Sequence, residues 1–356
     1  MTKAAPIPAG PTDLTSSWLS VVLGVDITEV TVSAVGTGQT GATYRLTVRY
    51  AGERSGMSDS FIAKLPSQDE TVRQRVALGY RAEHAFYAEV ADTLSVPLPQ
   101  CFYCDIDRNG ADFVLLMADL APAVQGDQIA GCSAAEARLA VTALAGVHGP
   151  RWCDPTWLSF TGTAMPRADA ELAKSIGDVA RTAAQTTVVG LGARMTEADR
   201  ATLTEAADLI GAWLLLAPDR FSLLHGDYRV DNLLFDPERT RVSVVDWQTL
   251  TIGLPARDLS YFMATSLAPD TRAEAEEELV GLYFDALVDH GVTEYSRENC
   301  WQDYRIGMLQ APLITTFGYA FAATTDRGDD MMLTMIERGC RAIRELGTLE
   351  LVRQLS

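Results

Sequence analysis

Apolar and polar positions change period once along this chain. Through roughly the first third, most patterned stretches alternate residue by residue, as strands do when one face is buried. ITEVTVSAV reads as a strand with Val30, Val32 and Val35 on its inner face. ATYRLTVRY repeats the pattern through Tyr44, Leu46, Val48 and Tyr50, and SFIAKLP is a short third strand. VPLPQCFYCDI and DFVLLMADL are two more strands around the turn DRNG. Two helices interrupt this region. One runs over 14–23, capped by Asp13 and stopped by Gly24, and the other covers VRQRVALGYRAEHAFYAEVAD.

Beyond Leu120 the period becomes helical. Ser133 with Glu136 forms a capping box for a helix reaching His148, which reads as a packed core histidine among Leu144, Val147 and Trp152. Thr196 with Asp199 opens another helix whose Leu203, Leu209, Ile210, Trp213 and Leu214 face inward, and the pattern from Leu259 onward is helical again. The stretch 164–192 is rich in Ala and Thr, with a period so weak that it reads as only partly helical. One hairpin breaks this run of helices: LLF at 233–235 and VSVV at 242–245 flank the turn DPERT. The pattern predicts an α+β protein with a small antiparallel lobe, residues 1–119, and a larger helical lobe, residues 120–356.

Composition narrows the partners. The chain has 356 residues, 47% hydrophobic and 21% charged, and a net charge of −18. That charge argues against nucleic acid and against an anionic membrane surface, and it permits cationic small substrates. No apolar run suits a signal peptide or a membrane span, which predicts a cytoplasmic protein. Of six cysteines only Cys101 and Cys104 form a CxxC, on a strand and without a second pair, so they read as reduced structural thiols.

Candidate chemistry gathers in two places. GTGQTG places Gly36, Gly38 and Gly41 in a GxGxxG. A dinucleotide fold needs a helix to begin at the last glycine, whereas a strand follows here, the arrangement of a loop lying over phosphates. A hairpin turn that merely needs glycine is the plain alternative. Lys64 sits in the strand after this turn. On the following helix Val76, Phe86, Tyr87 and Val90 lie within about 60° of Glu83, whereas Glu89 points about 120° away. Glu83 is therefore on the buried stripe and needs a cation, for which Lys64 is the candidate.

The second place is 221–247, FSLLHGDYRVDNLLFDPERTRVSVVDW. Its hairpin brings Asn232 and Asp246 to one end of a sheet, with Asp227 nearby. An amide oxygen and a carboxylate suit magnesium, and a separate Asp can take a hydroxyl proton. Turn formation alone explains Asp231 and Asp236, but not this clustering after the Gly turn, Lys and Glu.

In that order GTGQTG, Lys64, Glu83, HGDYRVDN and VVDW resemble the aminoglycoside phosphotransferase and choline kinase superfamily, with its bilobal protein-kinase-like fold. The wording is most similar to the ecdysteroid-kinase-like and choline-kinase-like branch. The resemblance implies Asp227 as base, Asn232 and Asp246 as Mg²⁺ ligands, and Lys64, paired with Glu83, on the α/β-phosphates. It further implies adenine at the backbone of Met117, Ala118 and Asp119, with His225 and Asp258 as support and Arg229 near the γ-phosphate. Many relatives carry Glu-Asp-Leu where this chain has Ala118-Asp119-Leu120, so ATP and GTP both stay open. Eleven residues separate Asp246 from Asp258, too few for a long peptide-holding segment. The expected acceptor is a small molecule bearing a hydroxyl: an aminoglycoside, amino alcohol, sugar or hydroxylated steroid. Trp301, Tyr304 and Phe317 line either its pocket or the core. The alternative is a nucleotide-binding pseudokinase that serves as a scaffold.

Overall fold

The computed structural model describes residues 5–35, 41–52, 56–321 and 325–356. Five strands, β1 (Ile27–Val35), β2 (Gly41–Tyr50), β3 (Ser60–Pro66), β4 (Cys101–Ile106) and β5 (Phe113–Ala118), form one antiparallel sheet in the order β1-β2-β3-β5-β4. Alternation along β3 sends Phe61, Ala63 and Leu65 into a core shared with Leu46, Val48, Val114 and Leu116. Trp18 and Leu19 of α1 (Ser16–Leu23) close that face. Thr15, not Asp13, caps α1: its side chain accepts the Trp18 N–H, while the Asp13 carboxylate accepts from Ala9 and Gly10.

The opposite face carries the helix expected over the VRQR segment, which is divided. Asp69 caps α2 (Glu70–Arg75), the chain turns at Val76, and α3 (Ala77–Ala85) ends in a π-helical turn at Phe86–Val90. Tyr80 of α3 stacks on Phe113 at 5.6 Å and packs with Leu115 and Met117.

The remainder is mostly helical: α4 (Ala134–His148), α5 (Ala170–Leu191), α6 (Glu197–Trp213), α7 (Ala256–Ser266), α8 (Pro269–Asp289), α9 (Arg297–Gly307), α10 (Gln310–Phe321), α11 (Asp326–Glu345) and α12 (Thr348–Leu355). The capping box of Ser133 and Glu136 and the Thr196 cap form as the sequence predicts. The stretch read as partly helical is a 22-residue helix, α5. Its buried face uses Ala173, Gly177, Ala180 and Ala184, small residues that let α6 approach closely.

Two small sheets sit among these helices. The strand β6 (Val124–Gln125) pairs with β8 (Leu233–Phe235), which pairs with β9 (Val242–Val244) across the DPERT turn. Within that turn Asp236 accepts the N–H groups of Thr240 and Arg241, the turn role its residue type suggests. The strand β7 (Ser222–Leu224) pairs with β10 (Thr251–Gly253). The architecture is bilobal α+β and kinase-like.

Candidate active site

Position 64 lies on the face of β3 opposite Phe61, Ala63 and Leu65, so its side chain turns toward α3. Lys64 Nζ stands 2.8 Å from Glu83 Oε2 and 2.8 Å from Asp246 Oδ1, joining the strand lobe to the hairpin of the helical lobe. Glu83 is buried and Glu89 exposed, the division that helical geometry predicts. Burial opposes the Lys64 ammonium, but Asp246 and Glu83 outweigh it and hold its pKa above the ordinary value. Burial likewise opposes the Asp246 carboxylate, and Lys64 brings its pKa below the usual range.

Asp246 has φ +69, a left-handed conformation that Asp tolerates better than most residues. The turn lets the next residue, Trp247, stack on Phe86 at 3.7 Å, with ring planes 6° apart. The Trp247 N–H and the Gln248 amide each donate to Glu83 at 3.3 Å.

HGD follows β7 directly. Gly226 has φ +82, and a Cβ there would meet the Thr249 carbonyl at 2.2 Å, so only glycine fits. The N–H groups of His225 and Gly226 donate to Asp258 at 2.6 and 3.0 Å, and Asp258 is fully buried in the first turn of α7. His148 is the core residue its neighbours suggest, and it has polar work as well. Its ring lies 3.4 Å from Asp258 Oδ2 and 2.7 Å from the Tyr283 hydroxyl. The His225 Nε2 sits 3.0 Å from the Val245 carbonyl, an acceptor only, which assigns the proton to Nε2 and leaves Nδ1 to receive the Asp227 N–H. One histidine thus ties the Asp227 loop to the residue before Asp246.

The Asp227 carboxylate is held by three donors. The Tyr261 hydroxyl donates to Oδ1 at 2.8 Å, while Arg229 Nε and Asn232 Nδ2 donate to Oδ2 at 3.1 and 3.2 Å. Arg229 also pairs with Asp231 at 2.8 Å and lies 3.2 Å from Met331 Sδ on α11. Burial disfavours its guanidinium, yet Asp227, Tyr261 and Asp231 hold its pKa above the ordinary range. Asn232 spends its amide hydrogens on Asp227, which leaves its oxygen as the atom available to a cation. Val245 N–H donates to the Asn232 carbonyl, so the two hairpin ends carrying Asn232 and Asp246 meet.

This donor set fits magnesium, which takes hard oxygen ligands and few of them from protein: one amide oxygen and one carboxylate. Among the described residues no group of three or more His, Cys, Asp and Glu is placed so that it could hold a metal ion.

The residues expected at the hinge, Met117, Ala118 and Asp119, differ in what they touch. Ala118 N–H is used by the Gln100 carbonyl, and Met117 is buried in the sheet core. The Asp119 carboxylate accepts from Arg45 at 2.6 Å, Ser60 at 2.5 Å and Ala121 N at 3.0 Å, a latch between β2, β3 and the segment after β5. Gly41 opens β2, whereas Gly36 and Gly38 lie outside the described residues. Cys101 and Cys104 are free, and burial pushes the Cys101 thiol up to about 11 and Cys104 higher, as inert structural thiols require. Tyr304 belongs to the core, its hydroxyl 3.0 Å from Glu276; Trp301 and Phe317 pack partly buried against that core.

A model of the phosphotransferase enzyme family matches residues 31–295. The chain belongs to that family. This phosphotransferase resembles two solved structures about equally. One is a putative aminoglycoside phosphotransferase from Ralstonia eutropha, at TM-score 0.55 and 18% identity over 93% of this chain and 97% of the other. The second is a microcompartment-associated aminopropanol kinase, at TM-score 0.55 and 16% identity, with the same coverage of 93% and 97%. The GDP complex of aminoglycoside 2′-phosphotransferase-IIIa follows at TM-score 0.51 and 16% identity, covering 87% and 92%. At these identities the likeness is one of fold. Acyl-CoA dehydrogenase family member 11 from Homo sapiens is 39% identical over 71 residues, 18% of this chain; its Gallus gallus counterpart is 42% identical over 72 residues, 17%. The match spans 9% of each of those longer proteins and carries neither their activity nor their substrates to this chain.

Two residues at the site escaped the sequence patterns. Tyr261 lies three positions after Asp258, a spacing that puts both on one face of a helix, and Trp247 is the aromatic directly after Asp246.

Proposed function

We propose that this phosphotransferase is an ATP- and Mg²⁺-dependent kinase that transfers the γ-phosphoryl group to a hydroxyl of a small molecule. The observation that carries the reading is the convergence of Lys64, Glu83 and Asp246 within 2.8–2.9 Å, beside an Asp227 whose carboxylate three donors hold in place. In this reading residues 1–119 form the lobe that covers the nucleotide and residues 120–356 the lobe that presents the acceptor. The glycines of GTGQTG are assigned to the phosphates by sequence, Lys64 contacts the α- and β-phosphates, and Glu83 orients Lys64. Backbone groups of Met117, Ala118 and Asp119 receive the base. Asn232 and Asp246 hold magnesium, which when bound neutralises charge on the transferring group.

Asp227 accepts the acceptor's proton as the hydroxyl attacks. His225 and Asp258 keep its loop in place, and Arg229 sets the Asp227 carboxylate while its remaining N–H groups face the γ-phosphate. The enzyme does little covalent work: positioning and charge neutralisation supply most of the acceleration. The eleven-residue interval from Asp246 to Asp258 favours an acceptor of small size. Six free cysteines suit a reducing compartment, and we place the protein in the cytoplasm. Among the described residues no helix is long and apolar enough to cross a membrane.

A panel of aminoglycosides, amino alcohols, sugars and hydroxylated steroids, offered with Mg-ATP or Mg-GTP and followed by phosphate transfer, tests this reading. Transfer to one class supports it. Tight Mg-nucleotide binding with no transfer to any class contradicts it; the family match does not favour the scaffold alternative.

A further inference from the structure

Between the end of α6, the segment that follows it and β10 lies a cavity of about 70 Å³ lined by Arg167, Trp213, Arg220, Phe221, Gly253 and Arg257, among others. Three guanidinium groups border it, and no Asp or Glu lines it, in a chain whose net charge is −18. Arg220 is compensated: Asp303 accepts from it twice, at 2.7 and 2.6 Å. The other two are not. Arg257 lies 4.4 Å above the Trp213 ring and gives Nε and Nη2 to a single neutral oxygen, Gln310 Oε1, at 3.0 and 2.8 Å. Arg167 lies over the Phe221 ring and donates to the Pro218 carbonyl. Neither has a carboxylate in contact among the described residues. Asp258, next to Arg257 in sequence, is committed to the N–H groups of His225 and Gly226.

Burial pushes the Arg257 guanidinium down to about 10, and at neutral pH it stays charged. A half-buried guanidinium whose side-chain hydrogen-bond acceptor is a neutral amide, with Asp258 acting on it only from beyond contact, keeps donors and charge for an anion that arrives from outside.

We infer that this cleft binds a small oxyanion, a phosphate or a carboxylate, on Arg257 and Arg167. The planar guanidinium fork matches either oxyanion in two parallel hydrogen bonds, and apolar walls at Leu216, Pro218 and Ile252 exclude competing water. The site also connects to the chemistry. Gln310, the neutral partner of Arg257, donates its Nε2 to the Gly226 carbonyl at 3.2 Å, one residue before Asp227. An anion that draws Arg257 away from Gln310 therefore acts on the Asp227 loop. The inference stands on this cleft alone and does not depend on the phosphate acceptor.

The test is thermal unfolding of the protein titrated separately with inorganic phosphate and with acetate. At about ten times Kd a bound anion raises Tm by about 2 °C. The expected result is such a rise with at least one anion, lost in both Arg257→Gln and Arg167→Gln; which anion gives it identifies the ligand chemistry. Arg167 is the more peripheral of the two, so Arg167→Gln decides the matter should Arg257→Gln fail to fold. No rise with either anion, or the same rise in wild type and in the folded variants, overturns the inference.

Discussion

Exchanging Lys64 for methionine keeps much of the side chain's volume and removes an ammonium that stands 2.8 Å from both Glu83 and Asp246. The Glu83 side chain is 1% exposed, so the variant leaves a carboxylate buried with, among the described residues, the Trp247 N–H and the Gln248 amide as its donors, each at 3.3 Å. Stripping one partner from such a pair costs about 3–5 kcal/mol. Asp246, 39% exposed, is screened by water and receives no share of that figure. At about 2.1 cal/mol/K per residue, a 356-residue chain has an unfolding entropy near 0.75 kcal/mol/K, so Tm falls by about 4–7 °C. Adding Glu83→Gln removes the stranded charge and restores all but about 1 kcal/mol.

The pH dependence has a definite sign. Burial already lifts the Glu83 pKa with Lys64 present, and more so without it. A carboxyl with a raised folded pKa stabilises fully below its unfolded value of about 4.3, and that stability is lost as pH rises through the folded value. The Lys64→Met penalty is therefore largest near pH 8 and shrinks toward pH 5, whereas the double variant shows no such trend. Thermal melts of wild type, both single variants and the double variant at the two pH values measure this. Single and double variants melting within a degree of each other at pH 8 would refute the reasoning.

Three further outcomes follow from the same contacts. Tyr261→Phe removes one of three donors to Asp227 and lowers kcat about tenfold, roughly 1.4 kcal/mol, with nucleotide KM unchanged; a folded variant with wild-type kcat contradicts a positioning role. Asp246→Ala abolishes the gain in nucleotide affinity that magnesium brings, measured by calorimetry with and without the ion; an undiminished gain removes Asp246 from the metal site. Asp119→Ala loses the Arg45 and Ser60 contacts and destabilises by about 1–2 kcal/mol at pH 7. Burial works against the Asp119 carboxylate, but Arg45 and Ser60 hold its pKa low, so this stability is present above about pH 4 and fades as pH falls through the folded value. A wild-type-to-variant difference that does not change with pH contradicts that assignment.

Much of the fold was legible because burial imposes period. Lys64 was singled out by its place in the strand that follows the glycine turn, and helical spacing alone separated buried Glu83 from exposed Glu89. The β8–β9 hairpin followed from two apolar runs around DPERT, and with it the meeting of Asn232 and Asp246. Other features depend on tertiary contacts that no local pattern records. Tyr261 reaches Asp227 across 34 residues, and Trp247 meets Phe86 only once the two lobes are assembled. The length of α5 was missed although its buried positions do recur at helical spacing, because many of them are alanines and a glycine rather than large apolar residues. Thr15 displaced Asp13 as the cap of α1 because Asp13 is engaged by the N–H groups before it.

The central claim, that Asp227 is the base of a small-molecule kinase, is tested most directly by phosphate transfer from Mg-ATP in wild type and Asp227→Asn, with the best acceptor from the hydroxyl panel. The expected result is unchanged Mg-nucleotide affinity with turnover lowered about 10²–10⁴-fold, roughly 3–5 kcal/mol of barrier. Turnover near the wild-type rate in a folded Asp227→Asn protein contradicts it.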